Sequence, residues 1–282
     1  MIIVIADDLT GAAELGGVGL RFGLSVEVQT VFDANSDVDL LVIDTDSRSD
    51  APELAIHKVE NIARQIYKMG KPWIYKKTDS VLRGNVRVEL QALQNIFDQK
   101  TVLLIPANPS FGRTISDGKY FINKTLLAQT DFANDPEHPI QTSDVVQLLG
   151  TSPAMDICFI KRGESIPKCN IAIGETENQD DLVKWAFQTH TQILPAGGSE
   201  FFFTLLIAMG MNPEPPENQG KSALGETALI VCGSASEYSR QTIAQARNEG
   251  KPVCDIPAKL FDSEEVEQNL LEQWTDTVLD FF

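Results

Sequence analysis

The residues able to do chemistry sit where apolar runs end. Ile2–Ala6 runs into Asp7-Asp8-Leu9-Thr10-Gly11, and Leu40–Asp44 runs into Thr45-Asp46-Ser47-Arg48. Lys76-Lys77-Thr78-Asp79-Ser80 precedes Arg83-Gly84-Asn85, and Pro106-Ala107-Asn108-Pro109 precedes Gly112-Arg113-Thr114. Ala196-Gly197-Gly198-Ser199 and Gly233-Ser234-Ala235-Ser236 complete the series. Adjacent carboxylates such as Asp7 and Asp8 repel unless a cation, a donor or a shared proton relieves them. One reading makes one of them the group that orients a substrate hydroxyl or accepts its proton. The other makes them a helix N-cap and a solvated acid, and both stand. Capping accounts for Thr10 or Ser236 taken alone, because Asp, Ser and Thr accept the free N–H groups of a helix start. It does not account for Lys76, Lys77, Arg83 and Arg113. Cations at helix starts oppose the helix dipole unless an anion lies between them, so these residues point to a small anionic ligand.

The elements that must position these residues are legible as alternating patterns. Short apolar runs at 2–6, 26–31, 40–44, 73–76 and 102–106 read as strands. Between them, 10–22, 52–69 and 86–97 read as helices. The middle is less regular: 131–140 reads as a surface loop, 145–149 as a short helix, and 156–160 and 169–173 as strands. Then 180–188 and 200–209 read as helices, with 192–195 a strand between them. Strands apolar on both faces, alternating with helices, predict a doubly wound, mostly parallel sheet covered on each side. In such a sheet ligands bind outside the carboxyl edge of the strands, where the residues named above gather.

After residue 210 the composition changes. Residues 211–225 are rich in Pro, Gly and Asn without apolar period and read as a linker. Residues 226–282 read as a partial second α/β domain: a strand at 228–232, a helix at 236–248, a strand at 253–256 and a helix at 264–279. About 57 residues are marginal for independent folding. The expected organisation is a substrate domain, 1–210, and a truncated nucleotide-binding-like domain, 226–282.

The chain has 282 residues with 43% hydrophobic and 22% charged, ordinary for a globular protein with ample core material. Its net charge is −17, which repels nucleic acid and acidic lipid at long range; neither is an expected partner. No apolar run reaches the ~18 residues that span a bilayer. The start, MIIVIADD, reads as a strand and not as a signal peptide, so the expected compartment is the cytoplasm. Cys158, Cys169, Cys232 and Cys254 form no C-x-x-C pair and read as small buried hydrophobes, not disulfides or zinc ligands. No metal site is expected. His57, His138 and His190 are scattered. Gly220-Lys221-Ser222 lacks the leading glycine and preceding strand of a phosphate loop.

Several motifs together resemble the four-carbon acid sugar kinase family: IADDLTGAAE, DTDSRS, YKKTDSVLRGNVRVEL, IPANPSFGRTISDGKYFIN, NDPEHPI and LPAGGSEFF. VCGSASEYSRQTI resembles the opening of that family's nucleotide-binding domain. The resemblance covers roughly residues 1–256. It implies ATP-dependent phosphoryl transfer, with Mg2+, to a hydroxyl of a short sugar acid such as a threonate or 3-oxo-tetronate. It implies that Asp7 or Asp8 is the catalytic carboxylate and that Lys77, Arg83 and Arg113 meet the substrate carboxylate. Arg48, Thr10, Asp79 and Ser80 join them at the substrate, and Gly233, Ser234 and Ser236 meet the nucleotide.

One family feature is missing. The late Gly-Gly-(Asp/Glu)-Thr type loop that helps hold the nucleotide has no counterpart here. An acid-sugar-binding or sensing protein without catalysis therefore stands as the alternative to a kinase. So does one half of a two-chain kinase, in which a homodimer or a partner chain completes the nucleotide domain.

Overall fold

In the first strand every side chain is apolar, and alternate residues serve opposite faces. Ile3 and Ile5 join one buried cluster, while Ile2, Val4 and Ala6 join another. That two-sided demand is what makes β1 (Ile2–Ala6) an interior strand. The computed structural model describes residues 1–70, 72–150, 155–215, 229–233, 237–262 and 268–281. It divides into two units, Met1–Asn218 and Gln219–Phe282.

In the first unit β1 is followed by α1 (Leu9–Leu20), β2 (Val26–Gln29), β3 (Leu40–Asp44), α2 (Pro52–Lys68), β4 (Trp73–Lys77), α3 (Val86–Phe97) and β5 (Thr101–Ile105). A small antiparallel sheet comes next: β6 (Arg113–Ser116), β7 (Lys119–Ile122) and β8 (Thr125–Leu126). The unit continues through α4 (Val145–Leu149), β9 (Ile157–Ile160), β10 (Ile171–Gly174), α5 (Gln179–Gln188), β11 (Ile193–Gly197) and α6 (Ser199–Ala208). The main sheet is eight-stranded with order β2-β3-β1-β4-β11-β5-β10-β9. Every pairing in it is parallel, giving the doubly wound α/β fold.

The two faces have distinct covers. Val59, Ala63 and Ile66 of α2 and Leu90 and Leu93 of α3 pack with Ile3, Ile5, Leu41 and Ile43. Ala12, Leu15 and Val18 of α1, Trp185 of α5 and Phe201, Phe202 and Leu205 of α6 pack with Ile2, Val4 and Leu40. The helix after β1 thus leaves to one face and the helix after β4 to the other. β1 and β4 are neighbours, so a crevice opens between them at the carboxyl edge, the topological switch point where open α/β sheets bind ligands.

Three readings from sequence are corrected. The antiparallel sheet has no counterpart in the sequence reading: Asp117 (φ +46°) and Gly118 (φ +72°) form the tight turn that makes residues 113–122 a hairpin, within a stretch that has no helical or strand period. Cys158 and Cys169 are joined as a disulfide. The parallel pairing of β9 and β10, which sets Cys158 opposite Ala172, brings them together, a contact no sequence spacing announces. Cys232 is exposed and Cys254 half-exposed, so neither is a buried hydrophobe.

In the second unit the described residues form α7 (Glu237–Asn248), α8 (Lys259–Asp262) and α9 (Gln268–Leu279). The strands expected at 228–232 and 253–256 are irregular where described, and Leu229, Ile230 and Val231 are exposed. A strand needs a neighbour to take its backbone hydrogen bonds, and the described residues of this unit include none.

Candidate active site

Asp7 and Asp8 end β1 with opposite exposures. Asp7 is buried, its side chain 3% exposed, whereas the Asp8 side chain is 25% exposed. Asp8 is the N-cap of α1 and accepts a hydrogen bond from the Gly11 N–H at 2.9 Å. An added Cβ at Gly11 would stand 2.7 Å from Asp8 Oδ1 and 3.1 Å from Lys77 Nζ, so glycine lets these two groups approach the helix start.

Arg48, on the loop after β3, relieves the carboxylate pair. Its Nε donates to Asp7 Oδ2 at 2.7 Å, and its Nη1 lies 2.8 Å from Asp8 Oδ2 and 3.8 Å from Asp79 Oδ1. The loop is held by α3: Asn85 Nδ2 donates to the carbonyls of Ser47 and Asp50, both at 2.9 Å. Gly84, at φ +80°, brings the chain against Arg48; a Cβ there would lie 2.7 Å from the Arg48 carbonyl oxygen. The neighbouring Asp44 is buried among Asp46, Asp8 and Asp7; burial first, then those charges, raise its pKa above the ordinary value.

Asp79 and Arg83, in the turn after β4, form a two-pronged pair. Arg83 Nε and Nη2 reach the two Asp79 oxygens at 3.0 and 2.8 Å. Burial alone would raise the Asp79 pKa, but the Arg83 hydrogen bonds and the charges of Arg83 and Arg48 outweigh it, and the pKa falls to about 2. Arg83 Nη1 also donates to Asp135 at 2.7 Å, and its guanidinium sits 5.2 Å over the Phe132 ring. Ser49 Oγ donates to Glu137 at 2.8 Å. The 131–140 segment, expected as a plain surface loop, is therefore tied across the site at two points.

On the other side of the crevice, Lys77 Nζ donates to the Thr78 carbonyl at 3.0 Å and lies 3.4 Å from Glu14. Glu14 also accepts from Ser199 Oγ at 2.6 Å, joining α1 to the start of α6. Ser80 Oγ is hydrogen-bonded to Arg113 Nη1, and the Ser80 carbonyl accepts from Tyr120 Oη at 2.6 Å. Thr10 is exposed on the first turn of α1 and makes no side-chain hydrogen bond among the described residues.

Of the residues expected at the site, Asp7, Asp8, Arg48, Asp79 and Arg83 are linked by ion pairs, and Ser80 is linked to Arg113. Thr10 and Lys77 lie on α1 and β4, at the crevice these groups surround. Gly233 lies in irregular, exposed chain of the second unit, and Ser234 and Ser236 lie outside the described residues. Most of the strand-end cations do not need an external anion, contrary to the expectation from sequence. Arg48, Arg83, Lys76 and Lys77 each have a carboxylate of this chain within 4 Å. Among the described residues Arg113 is the exception, with no ion pair.

Sequence reasoning missed Glu14, Glu89, Tyr120 and Asp135, and gave Asn85 no role. Only Glu89 left a signal: it falls on the apolar stripe of α3, where Val86, Leu90 and Leu93 are buried. Among the described residues no cluster of side chains fits a metal ion, and no helix is long and apolar enough to cross a membrane.

These features define a doubly wound α/β protein with a polar, charge-paired site at its switch point. Residues 2–191 match the model of the sugar-binding N-terminal domain family, and the chain belongs to that family. It is similar to the D-threonate kinase of Salmonella typhimurium, 30% identical over 289 residues, covering 95% of this chain and 66% of that protein. It is also similar to the D-erythronate kinase of Heliobacterium modesticaldum, 26% identical over 272 residues, covering 88% of this chain and 60% of that protein. The chain spans less than two thirds of the length of either enzyme, by those figures. A Bordetella bronchiseptica protein, solved with bound citrate as a domain-swapped dimer, shares the fold. Its TM-score is 0.65 at 22% identity, over 98% of this chain and 69% of that one.

Proposed function

We propose that the crevice between β1 and β4 binds a four-carbon sugar acid and that the chain serves an ATP-dependent phosphorylation of one of its hydroxyls. The observation that carries this reading is Arg113. It is half-buried beside Ser80 and has no carboxylate partner among the described residues, so it is the cation with a guanidinium edge to offer a substrate carboxylate. The names of the Salmonella and Heliobacterium relatives, kinases of D-threonate and D-erythronate, supply the acceptor class.

The residues divide the work. Asp8 is the exposed member of the carboxylate pair and meets the substrate hydroxyl, orienting it and taking its proton. Asp7, buried against Arg48, holds that guanidinium and so holds Asp8 in place. Lys77, near Asp8 and the start of α1, balances the charge that gathers as the hydroxyl attacks. Thr10 and Ser80 meet the other hydroxyls. Asp79, Arg83 and Asp135 close the wall in this reading, since Arg83 spends both edges of its guanidinium on the two Asp79 oxygens and on Asp135.

ATP with Mg2+ supplies the phosphoryl group in this reading. The described residues of the second unit do not form a phosphate cradle: Gly233 has open space on all sides of an added Cβ. The second reading, acid-sugar binding without turnover, draws on the same fact. The Bordetella protein's dimer makes a homodimer our proposal for this chain, checked by light scattering.

The test is incubation of the purified chain with ATP, Mg2+ and D-threonate, D-erythronate or 3-oxo-tetronate, followed by mass spectrometry. A phosphorylated acid, lost in Asp8→Asn while the acid still binds, supports the kinase. A calorimetric signal with the acids but not with ATP, and no product, favours binding alone. No binding of any acid removes both readings.

A further inference from the structure

Beneath the strand edge runs a buried polar chain that substrate binding does not use. Lys76 of β4 and Glu89 of α3 pair at 2.8 Å, and they are 0% and 1% exposed. The other Glu89 oxygen accepts a hydrogen bond from Ser47 Oγ at 2.5 Å. Ser47, itself 0% exposed, lies 2.6 Å from Thr45 Oγ1, which donates to the Ala6 carbonyl at 2.8 Å. The backbone N–H groups of Ser47 and Arg48 donate to the Asp7 carbonyl at 3.0 and 3.2 Å. The chain that starts at Glu89 therefore ends on the residues that carry Arg48 and Asp7.

Taking two charges out of water costs more than their attraction commonly returns, and an apolar pair of similar volume would hold α3 to the sheet as well or better. Stability alone does not explain Lys76 and Glu89. What an apolar pair cannot do is hold the Ser47 hydroxyl. Asn85 already fixes the carbonyl side of the 45–50 loop; Glu89 fixes its inward side chain.

We propose that Glu89, with its charge balanced by Lys76, is a positioning residue that acts through Ser47 to set Arg48 against Asp7, Asp8 and Asp79 at once. Its effect on turnover rests on the kinase reading, whereas its effect on Arg48 does not. The geometry gives the guanidinium three carboxylates to serve, and small rotations of the loop would trade one for another.

Two variants test this. Ser47→Ala leaves the ion pair in place and removes the hydroxyl that meets Glu89 Oε1 and Thr45 Oγ1. The double variant K76M/E89L replaces the pair by apolar side chains. The first readout is hydrogen exchange of the Arg48 Nε–H by NMR, which the 2.7 Å bond to Asp7 protects in the native protein. The double variant is expected to melt near the parent temperature and Ser47→Ala, which leaves Glu89 Oε1 unpaired, somewhat below it; both are expected to stay folded and to lose that protection. For the acid-sugar reaction, KM is expected to rise more than kcat falls, lowering kcat/KM by up to roughly a hundredfold. Parent-like protection in Ser47→Ala overturns the proposal, even if the double variant fails to fold. If the parent protein shows no acid-sugar chemistry, the kinase reading fails and the exchange measurement still decides the role of Glu89.

Discussion

Arg113 and Arg83 look alike in sequence, each a few residues past a strand and near a glycine, yet their surroundings predict opposite phenotypes. Among the described residues Arg113 has only a hydroxyl as side-chain partner, so Arg113→Ala is expected to leave the melting temperature nearly unchanged. It removes a charge-assisted hydrogen bond to the acid, worth about 1.5–3 kcal/mol. Calorimetry with D-threonate should show that loss as roughly a ten- to hundredfold weaker Kd. Arg83→Ala instead strands Asp79, which is 5% exposed. Removing one member of a buried pair costs about 3 kcal/mol or more, read as a lower midpoint in urea. The same pair sets an acid limit. Asp79 has a folded pKa of about 2 against an ordinary 3.8. A depressed carboxylate pKa gives stability that is complete above pH 3.8 and lost as pH falls through 2. The difference is about 2 kcal/mol. Urea midpoints between pH 5 and pH 2 should show that loss in the parent protein and a smaller one in Arg83→Ala.

At the scale of elements, the site depends on how α3 grips the loop after β3. Gly84 sits at φ +80° with its α-carbon facing Arg48. Gly84→Ala adds a methyl that meets the Arg48 carbonyl oxygen at 2.7 Å and a backbone conformation unfavourable to a side chain. The expected cost is about 1–3 kcal/mol, seen in thermal melts. Acid-sugar affinity should weaken as well, because the displaced segment carries Arg48. A substitution at Gly70, where an added Cβ meets nothing within 4 Å though φ is +104°, is the control: it shares the backbone strain but precedes the amino end of β4, opposite the carboxyl edge that carries the site, so affinity should hold.

At the scale of the molecule, both apolar clusters lie wholly within Met1–Asn218. That unit has its own sheet, its own two helical covers and every residue proposed to hold the sugar acid. Residues 1–218 expressed alone are therefore expected to unfold in one cooperative transition and to bind D-threonate with the affinity of the full chain. Calorimetry on the two proteins checks this; weaker binding by the fragment would mean that the second unit contributes to the acid site.

The sequence by itself determined the sheet and its ligand edge. Runs such as Ile2–Ala6, Leu40–Asp44 and Thr101–Ile105, apolar apart from Asp44 and Thr101, put apolar residues at both alternating sets of positions, and an interior parallel strand buries both. Polar residues follow these runs at the carboxyl edge, and Asp7, Thr45 and Ser47 among them stay buried there. What tertiary structure alone decided was pairing. Arg83 meets Asp135, 52 residues away, because the 131–140 segment folds back onto the turn after β4. Cys158 meets Cys169 because β9 and β10 run side by side. β11 slots between β4 and β5, which sets Gly197 beside Lys77 although 120 residues separate them. Residue type reveals a charge, but its partner is fixed by strand order and register, which are long-range properties. That is why the cations and the carboxylates Asp7, Asp8 and Asp79 were visible in sequence while the pairing that joins them, and the partners Glu14 and Glu89 of Lys77 and Lys76, were not.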